Sequence, residues 1–205
     1  MRTLVLSLLL CVGIECLVDS CLIGAETTAS DQASDQTSSW SLAVPWKAKP
    51  IHPLPQVANM DKAYADAGIS TEAKLAVATA FDDHEWLSYP VPNAWESYGA
   101  GWDIDGEAVF RLTVEVPATV VGKDLEISLG SIDDFDDTFF NGHLIGRIDK
   151  NVLGYWTVER VYHVPGRLVV AGVNVIAVRI FDHFGGGGFI GPKNKMLLRV
   201  AEMAK

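Results

Sequence analysis

Alternation of side chains with a period of two, cut at short intervals by turn residues, most limits what this chain can become. Phe110, Leu112, Val114 and Val116 alternate with Val109, Arg111, Thr113 and Glu115 until Pro117 ends the run. Successive side chains of a strand point to opposite faces, so this pattern predicts a half-buried strand. Leu125, Ile127 and Leu129 repeat it before Gly130, and Met196, Leu198 and Val200 repeat it near the C-terminus. Asn174 to Phe181 is apolar on both faces apart from Arg179, which suits a central strand. Asn141-Gly142 lies between Thr138-Phe139-Phe140 and His143-Leu144-Ile145. A tight primed turn needs positive φ at both central residues, and Asn-Gly supplies it, so a hairpin is expected there. Many short strands and no long helical pattern predict an all-β, antiparallel jelly-roll β-sandwich.

The 205 residues suit one domain of ordinary size. A formal net charge of -10, with Lys and Arg scattered singly, repels a polyanion, so no nucleic-acid partner is expected. Residues 1–25 read as a signal peptide. Arg2 is followed by the apolar Leu4 to Val12 and then by Ile23-Gly24-Ala25, and the apolar stretch is too short to span a bilayer. The expectation is a secreted, periplasmic or otherwise extracytoplasmic protein with no membrane span after cleavage. Cys11, Cys16 and Cys21 all precede Ala25, so the mature chain is expected to contain no disulfide and no thiolate. Residues 26–56 read as a flexible tether, rich first in Ser, Thr and Asp and then in Pro. Residues 57–80 read as a short helical or irregular lead-in, and residues 81–205 as the sandwich.

A specific likeness emerges in the second half. Ser128 to Arg147 (SLGSIDDFDDTFFNGHLIGR) is followed by Trp156, by Arg160 to Pro165, by Gly172 to Arg179, and by Phe181 to Phe189 (FDHFGGGGF). Phe81 to Trp86, Pro92, Trp95 and Phe110-Arg111 precede them. In this order the motifs resemble the galactose-binding-like β-sandwich that serves as the sugar-binding domain of glycoside hydrolase family 2. They also resemble the jelly roll of sialate O-acetylesterases and β-galactosidase-type enzymes. In those enzymes the chemistry belongs to a separate catalytic domain. This chain has no G-x-S-x-G elbow, no Gly-Asp-Ser start and no second zincin histidine. The resemblance therefore implies a non-catalytic carbohydrate-binding-like accessory module that binds a glycan or docks a carbohydrate-active enzyme. The alternative is a component of a glycan-processing hydrolase, a glycosidase or sialate O-acetylesterase type, active only with a separate catalytic domain.

Candidate site residues follow from sugar chemistry. A sugar offers apolar C–H faces and a rim of hydroxyls, so its site pairs flat aromatics with polar side chains. Trp102, Trp156, Arg160, Asp182 and His183 are the set expected to bind carbohydrate through end loops. Any one of these aromatics can equally fill the core. Asp133, Asp134, Asp136 and Asp137 place four carboxylates in five residues. They suit a structural Ca²⁺ site in residue type, but without EF-hand spacing the reading carried forward is a turn whose acids bond backbone N–H groups. No cofactor is otherwise expected. A glycosidase pair needs carboxyls about 5–5.5 or 6.5–9.5 Å apart across a cleft, and no acid here carries that context. Gly185 to Gly188 reads as a sharp bend or as a floor beneath a ligand or partner.

Overall fold

The computed structural model describes residues 39–202. The signal peptide expected at 1–25 and the first part of the tether, 26–38, lie outside the described residues. In chain order the elements are β1 (Ser39–Ser41), β2 (Pro45–Pro55), α1 (Thr71–Ala76), β3 (Leu87–Pro90), β4 (Asn93–Ala94), β5 (Ile104–Val116) and β6 (Leu125–Asp133). They continue with β7 (Phe135–Phe140), β8 (His143–Ile148), β9 (Glu159–Val164), β10 (Gly172–Asp182), β11 (Gly188–Phe189) and β12 (Met196–Val200). They form two six-stranded sheets. One runs β3-β2-β5-β10-β7-β8. The other runs β1-β12-β6-β11-β4, with β9 also paired to β6. Every paired strand is antiparallel. The molecule is thus an all-β two-sheet sandwich, as the alternation predicts. No helix among the described residues is long and apolar enough to cross a membrane.

Local chemistry explains the register. β7 and β8 close with Phe140 opposite His143, leaving the two-residue Asn141-Gly142 turn. Both turn residues have positive φ, 48° and 76°, as a primed turn on a right-twisted ribbon requires. Asn141 also accepts a bond from Val175 N at 2.8 Å, which ties the hairpin to β10. β10 sits between β5 and β7 and is buried from Asn174 to Asp182, which is why its sequence carries little polar alternation.

Two expectations need correction. The stretch from 39 to 55 is not a tether, because it supplies β1 and β2. Trp46 and Ala48 point into the core while Pro45 and Lys49 are exposed. β2 pairs with β3 only from Pro45 to Ala48. Beyond a register shift between Pro50 and His52 it pairs with β5 alone. Proline has no N–H for a ladder, so it is tolerated where one side of the strand is free. Those prolines masked the alternation of Trp46 and Ala48 in the sequence.

The second correction concerns β5, which is half-buried only at its C-terminal end, where Thr113 and Glu115 are exposed. Phe110, Val114 and Val116 face the inter-sheet core, as expected, but Val109 and Arg111 on the other face are buried too. The segment before β3 packs over that face, bringing Ala73, Ala76 and Val77 against Val109 and Ala177. α1 begins at Ser70, whose Oγ accepts a bond from Ala73 N at 3.0 Å. Arg111 anchors the cover by donating to Ala76 O (2.6 Å), Ala78 O (3.0 Å) and Asp83 Oδ2 (2.7 Å). Arg179 anchors its other end, holding Asp66 through two parallel bonds of 2.7 and 2.6 Å while Nε donates to Glu107. Burial alone raises the Asp66 carboxyl pKa, but Arg179's hydrogen bonds and charge outweigh it and hold that carboxyl below its ordinary value.

Candidate functional site

The structure separates the five residues expected to bind carbohydrate. Trp102 is only 2% exposed and lies in the core among Tyr89, Trp95, Tyr98 and Phe110, with ring centroids 5.1 to 5.9 Å away. It is a packing residue and not a platform. A large aromatic just before a strand serves either purpose, and only the direction of β5 decides between them. The other four converge on one rim, built from the β6–β7 junction, the loop between β8 and β9, and the segment after β10.

Arg160 is the hub of that rim and is wholly buried, so it does not reach a ligand. Its Nε donates to Asp136 Oδ1 (2.9 Å), one terminal nitrogen to Tyr155 O (2.6 Å) and Val158 O (2.7 Å), and the other to Asp134 O (2.7 Å). The arginine thus positions the loop that carries Trp156. Tyr162 Oη and Thr138 Oγ1 also donate to Asp136. Burial pushes the Asp136 carboxyl up, against Arg160. The Asp136–Tyr162 bond is framed by Gly146, where an added Cβ meets the Tyr162 ring at 2.0 Å.

Trp156 is 45% exposed and stands edge-on to Tyr155, with centroids 5.0 Å apart. Tyr155 in turn packs on Phe135 at 4.7 Å and shares a 3.0 Å hydrogen bond with His183 Nε2. His183 is half-buried, and its backbone N–H donates to Asp134 Oδ2 at 3.1 Å. Asp182 is fully buried. Its Oδ1 accepts from Phe184 N at 3.0 Å, and its Oδ2 has no hydrogen-bond partner among the described residues. The rim therefore presents one exposed platform, Trp156, supported by a tyrosine, a histidine and buried acids.

The acidic run does not gather into a cation cage. Asp136 is spent on Arg160, and Asp137 bonds Arg147 and lies 3.7 Å from Arg179. Among the described residues no group of three or more His, Cys, Asp or Glu side chains is arranged to hold a metal. The melting temperature is accordingly expected to be the same in calcium and in chelator. A rise of several degrees with calcium contradicts this.

Beside the rim lies a cavity of about 150 Å³ bounded by Asp66, Phe135, Arg147, Lys150 and Arg179. Asp66 had no signal in the sequence, since it meets Arg179 across 113 residues. Three further pockets, at Phe81–Tyr89, at His143–Leu168 and at Thr79–Val173, include none of the five residues expected to bind carbohydrate. The four-glycine run is a close approach. An added Cβ at Gly187 falls 2.2 Å from the Trp95 ring, and Gly188 has φ 100°.

No protein-family model matches the chain, and no curated protein matches it in sequence. Solved structures match it in fold. A β-glucuronidase from Bacteroides uniformis is 17% identical with a TM-score of 0.56, and the match covers 80% of this chain and 18% of that one. A glycosyl hydrolase family 2 member from Bacteroides cellulosilyticus is 16% identical with a TM-score of 0.56, covering 80% and 20%. A β-glucuronidase from an uncultured Clostridium is 15% identical with a TM-score of 0.57, covering 82% and 30%. The chain thus spans less than a third of the length of these enzymes. It has the β-sandwich fold that these glycoside hydrolase family 2 enzymes carry as one part of a longer chain, in keeping with the motif resemblance.

Proposed function

We propose that this chain is an exported accessory module that binds a glycan, or docks a carbohydrate-active enzyme domain, through the Trp156 rim. The observation that carries the reading is the half-exposed Trp156 indole, packed edge-on against Tyr155, whose hydroxyl shares a hydrogen bond with His183. An aromatic face held rigid by buried polar groups offers stacking area to a sugar ring at low entropic cost, and neighbouring donors and acceptors meet its hydroxyls. Phe135 both lines the cavity and packs on Tyr155, which links the cavity wall to the ring that supports Trp156.

Docking has its own support. Leu153, on the same loop, is 98% exposed. With Trp156 it gives this loop two exposed apolar side chains that a partner domain could cover. The solved neighbours are longer enzymes of which this fold is one part. That same fact supports the second reading, a component of a glycoside hydrolase whose chemistry lies on a separate catalytic domain.

Isothermal titration against a panel of polysaccharides tests the proposal. Heat is expected with at least one glycan, and Trp156→Ala is expected to weaken that binding at least about tenfold. Silence with every glycan leaves only docking, and a Trp156→Ala chain that binds as the wild type does overturns the site.

A further inference from the structure

The end of the sandwich away from Trp156 carries a groove of its own. β7 and β8 run between the two ends, with Asp136 opposite Ile148 on the rim side and Phe140 opposite His143 at the turn. β9 does the same against β6, with Glu159 opposite Ser131 on the rim side and Val164 opposite Leu125 at the far end. Two hollows of about 510 and 300 Å³ lie at that far end and share His143, Arg167 and Leu168 in their walls. Leu144 and His163 extend the first, and Val170 and Val173 extend the second. Leu144, Val170 and Val173 are each about half exposed, so the walls offer aliphatic surface to the outside.

The groove is opposite in sign to the chain around it. The net charge is -10, yet the two linings contain three basic side chains, His143, His163 and Arg167, and no acidic one. Asp124 faces the groove from the segment before β6, but both its oxygens are engaged. Oδ2 meets His163 Nε2 at 2.9 Å and Oδ1 accepts from Gly166 N at 2.7 Å. Glu115, opposite Val173 in the ladder, lies outside both linings. Arg167 and His143 have no ion-pair partner among the described residues. Charges farther than about 8 Å are screened at physiological ionic strength, so a partner meets the local sign and not the net one.

Two free strand edges border the same groove. β8 pairs with β7 alone and β9 with β6 alone, so among the described residues each is the last strand of its sheet. A free edge presents N–H and C=O groups that an added strand takes up. Among the described residues no aromatic lines either hollow, so a sugar ring finds no stacking face there. We propose that this far-end groove docks an acidic, extended polypeptide segment of a partner protein. The segment adds as a strand to the outer edge of β8, lays aliphatic side chains along Leu144 and Leu168, and directs carboxylates to Arg167 and His143. The edge supplies the main-chain bonds, and the basic pair selects acidic over basic sequences. This docking stands whether or not the Trp156 rim binds a glycan.

The test is an NMR titration of the chain with a capped peptide of alternating valine and glutamate, about as long as β8. Saturable shifts are expected at the amides of His143 to Ile145 and Arg167 to Val170, together with slowed deuterium exchange at β8 amides. The same peptide with lysine for glutamate is expected to bind at least about tenfold more weakly, and so is the acidic peptide to Arg167→Glu. Arg167 is exposed, so that variant is expected to fold. No saturable shift, equal binding of the lysine peptide, or unchanged binding by Arg167→Glu overturns the proposal. Shifts near Arg167 without slowed exchange in β8 overturn the strand pairing. Two further probes decide the occupant. A peptide of this chain's own residues 26–38 that binds there more tightly than the acidic peptide makes the occupant internal and overturns the partner. Polygalacturonate that gives these shifts where the peptide gives none makes the groove a site for an anionic glycan and overturns it also.

Discussion

Replacing Arg160 with alanine is expected to remove about 3–5 kcal/mol of folding stability, because it leaves Asp136 charged, buried and unpaired. The size follows from the geometry. The guanidinium is wholly buried, its partner carboxylate is fully buried, and four hydrogen bonds converge on it. Removing only one member of such a pair keeps the desolvation cost and discards the compensation. Urea denaturation of both chains measures the difference. A loss below about 1 kcal/mol is what an exposed pair shows and contradicts the assignment of Arg160 as the hub. Arg160→Ala combined with Asp136→Asn is expected to lose less than Arg160→Ala alone, since the stranded charge is then gone. That non-additivity distinguishes a buried pair from lost packing.

The second large effect separates two tryptophans that the sequence treats alike. Trp102→Ala is expected to cost about 3–5 kcal/mol, because the ring fills the core beside Trp95 and Phe110. Trp156→Ala is expected to cost about 1 kcal/mol or less, because nearly half of that ring already meets water. Binding should follow the reverse order. Trp156→Ala loses glycan or partner, whereas folded Trp102→Ala, measured well below its lowered melting temperature, retains it. Comparable stability losses at both positions contradict the placement of the two rings.

The contrast shows where sequence reasoning reached its limit. The Asn141-Gly142 hairpin and the buried Asn174 to Phe181 strand were legible because local backbone chemistry and hydrophobic period specify them. β2 was not, because its prolines read as extended linker until β5 is seen to supply its hydrogen-bond partners. The outer face of β5 was not, because its cover comes from a segment with weak helical pattern held by Arg111 and Arg179. Sequence placed Trp156, Arg160, Asp182 and His183 near strand ends, and the structure brings these four to one rim. It did not distinguish the buried role of Arg160 from a surface one, since that burial depends on Asp136, 24 positions away, nor that of Asp182, which is buried at the end of the central strand β10. Trp102 was misplaced for the same reason. The acid run was legible as a cluster, but its division between Arg160 on β9 and Arg147 on β8 depends on pairing in both sheets.

The central claim is that the outside world meets this sandwich at Trp156 and not at its interior aromatics. The six tryptophans each give one indole N–H signal in a nitrogen–proton correlation spectrum. Titrating in a glycan from the panel, or a partner domain, is expected to shift the Trp156 signal and leave those of Trp46, Trp95 and Trp102 in place. Saturable shifts at Trp95 or Trp102 with Trp156 unmoved would contradict the account.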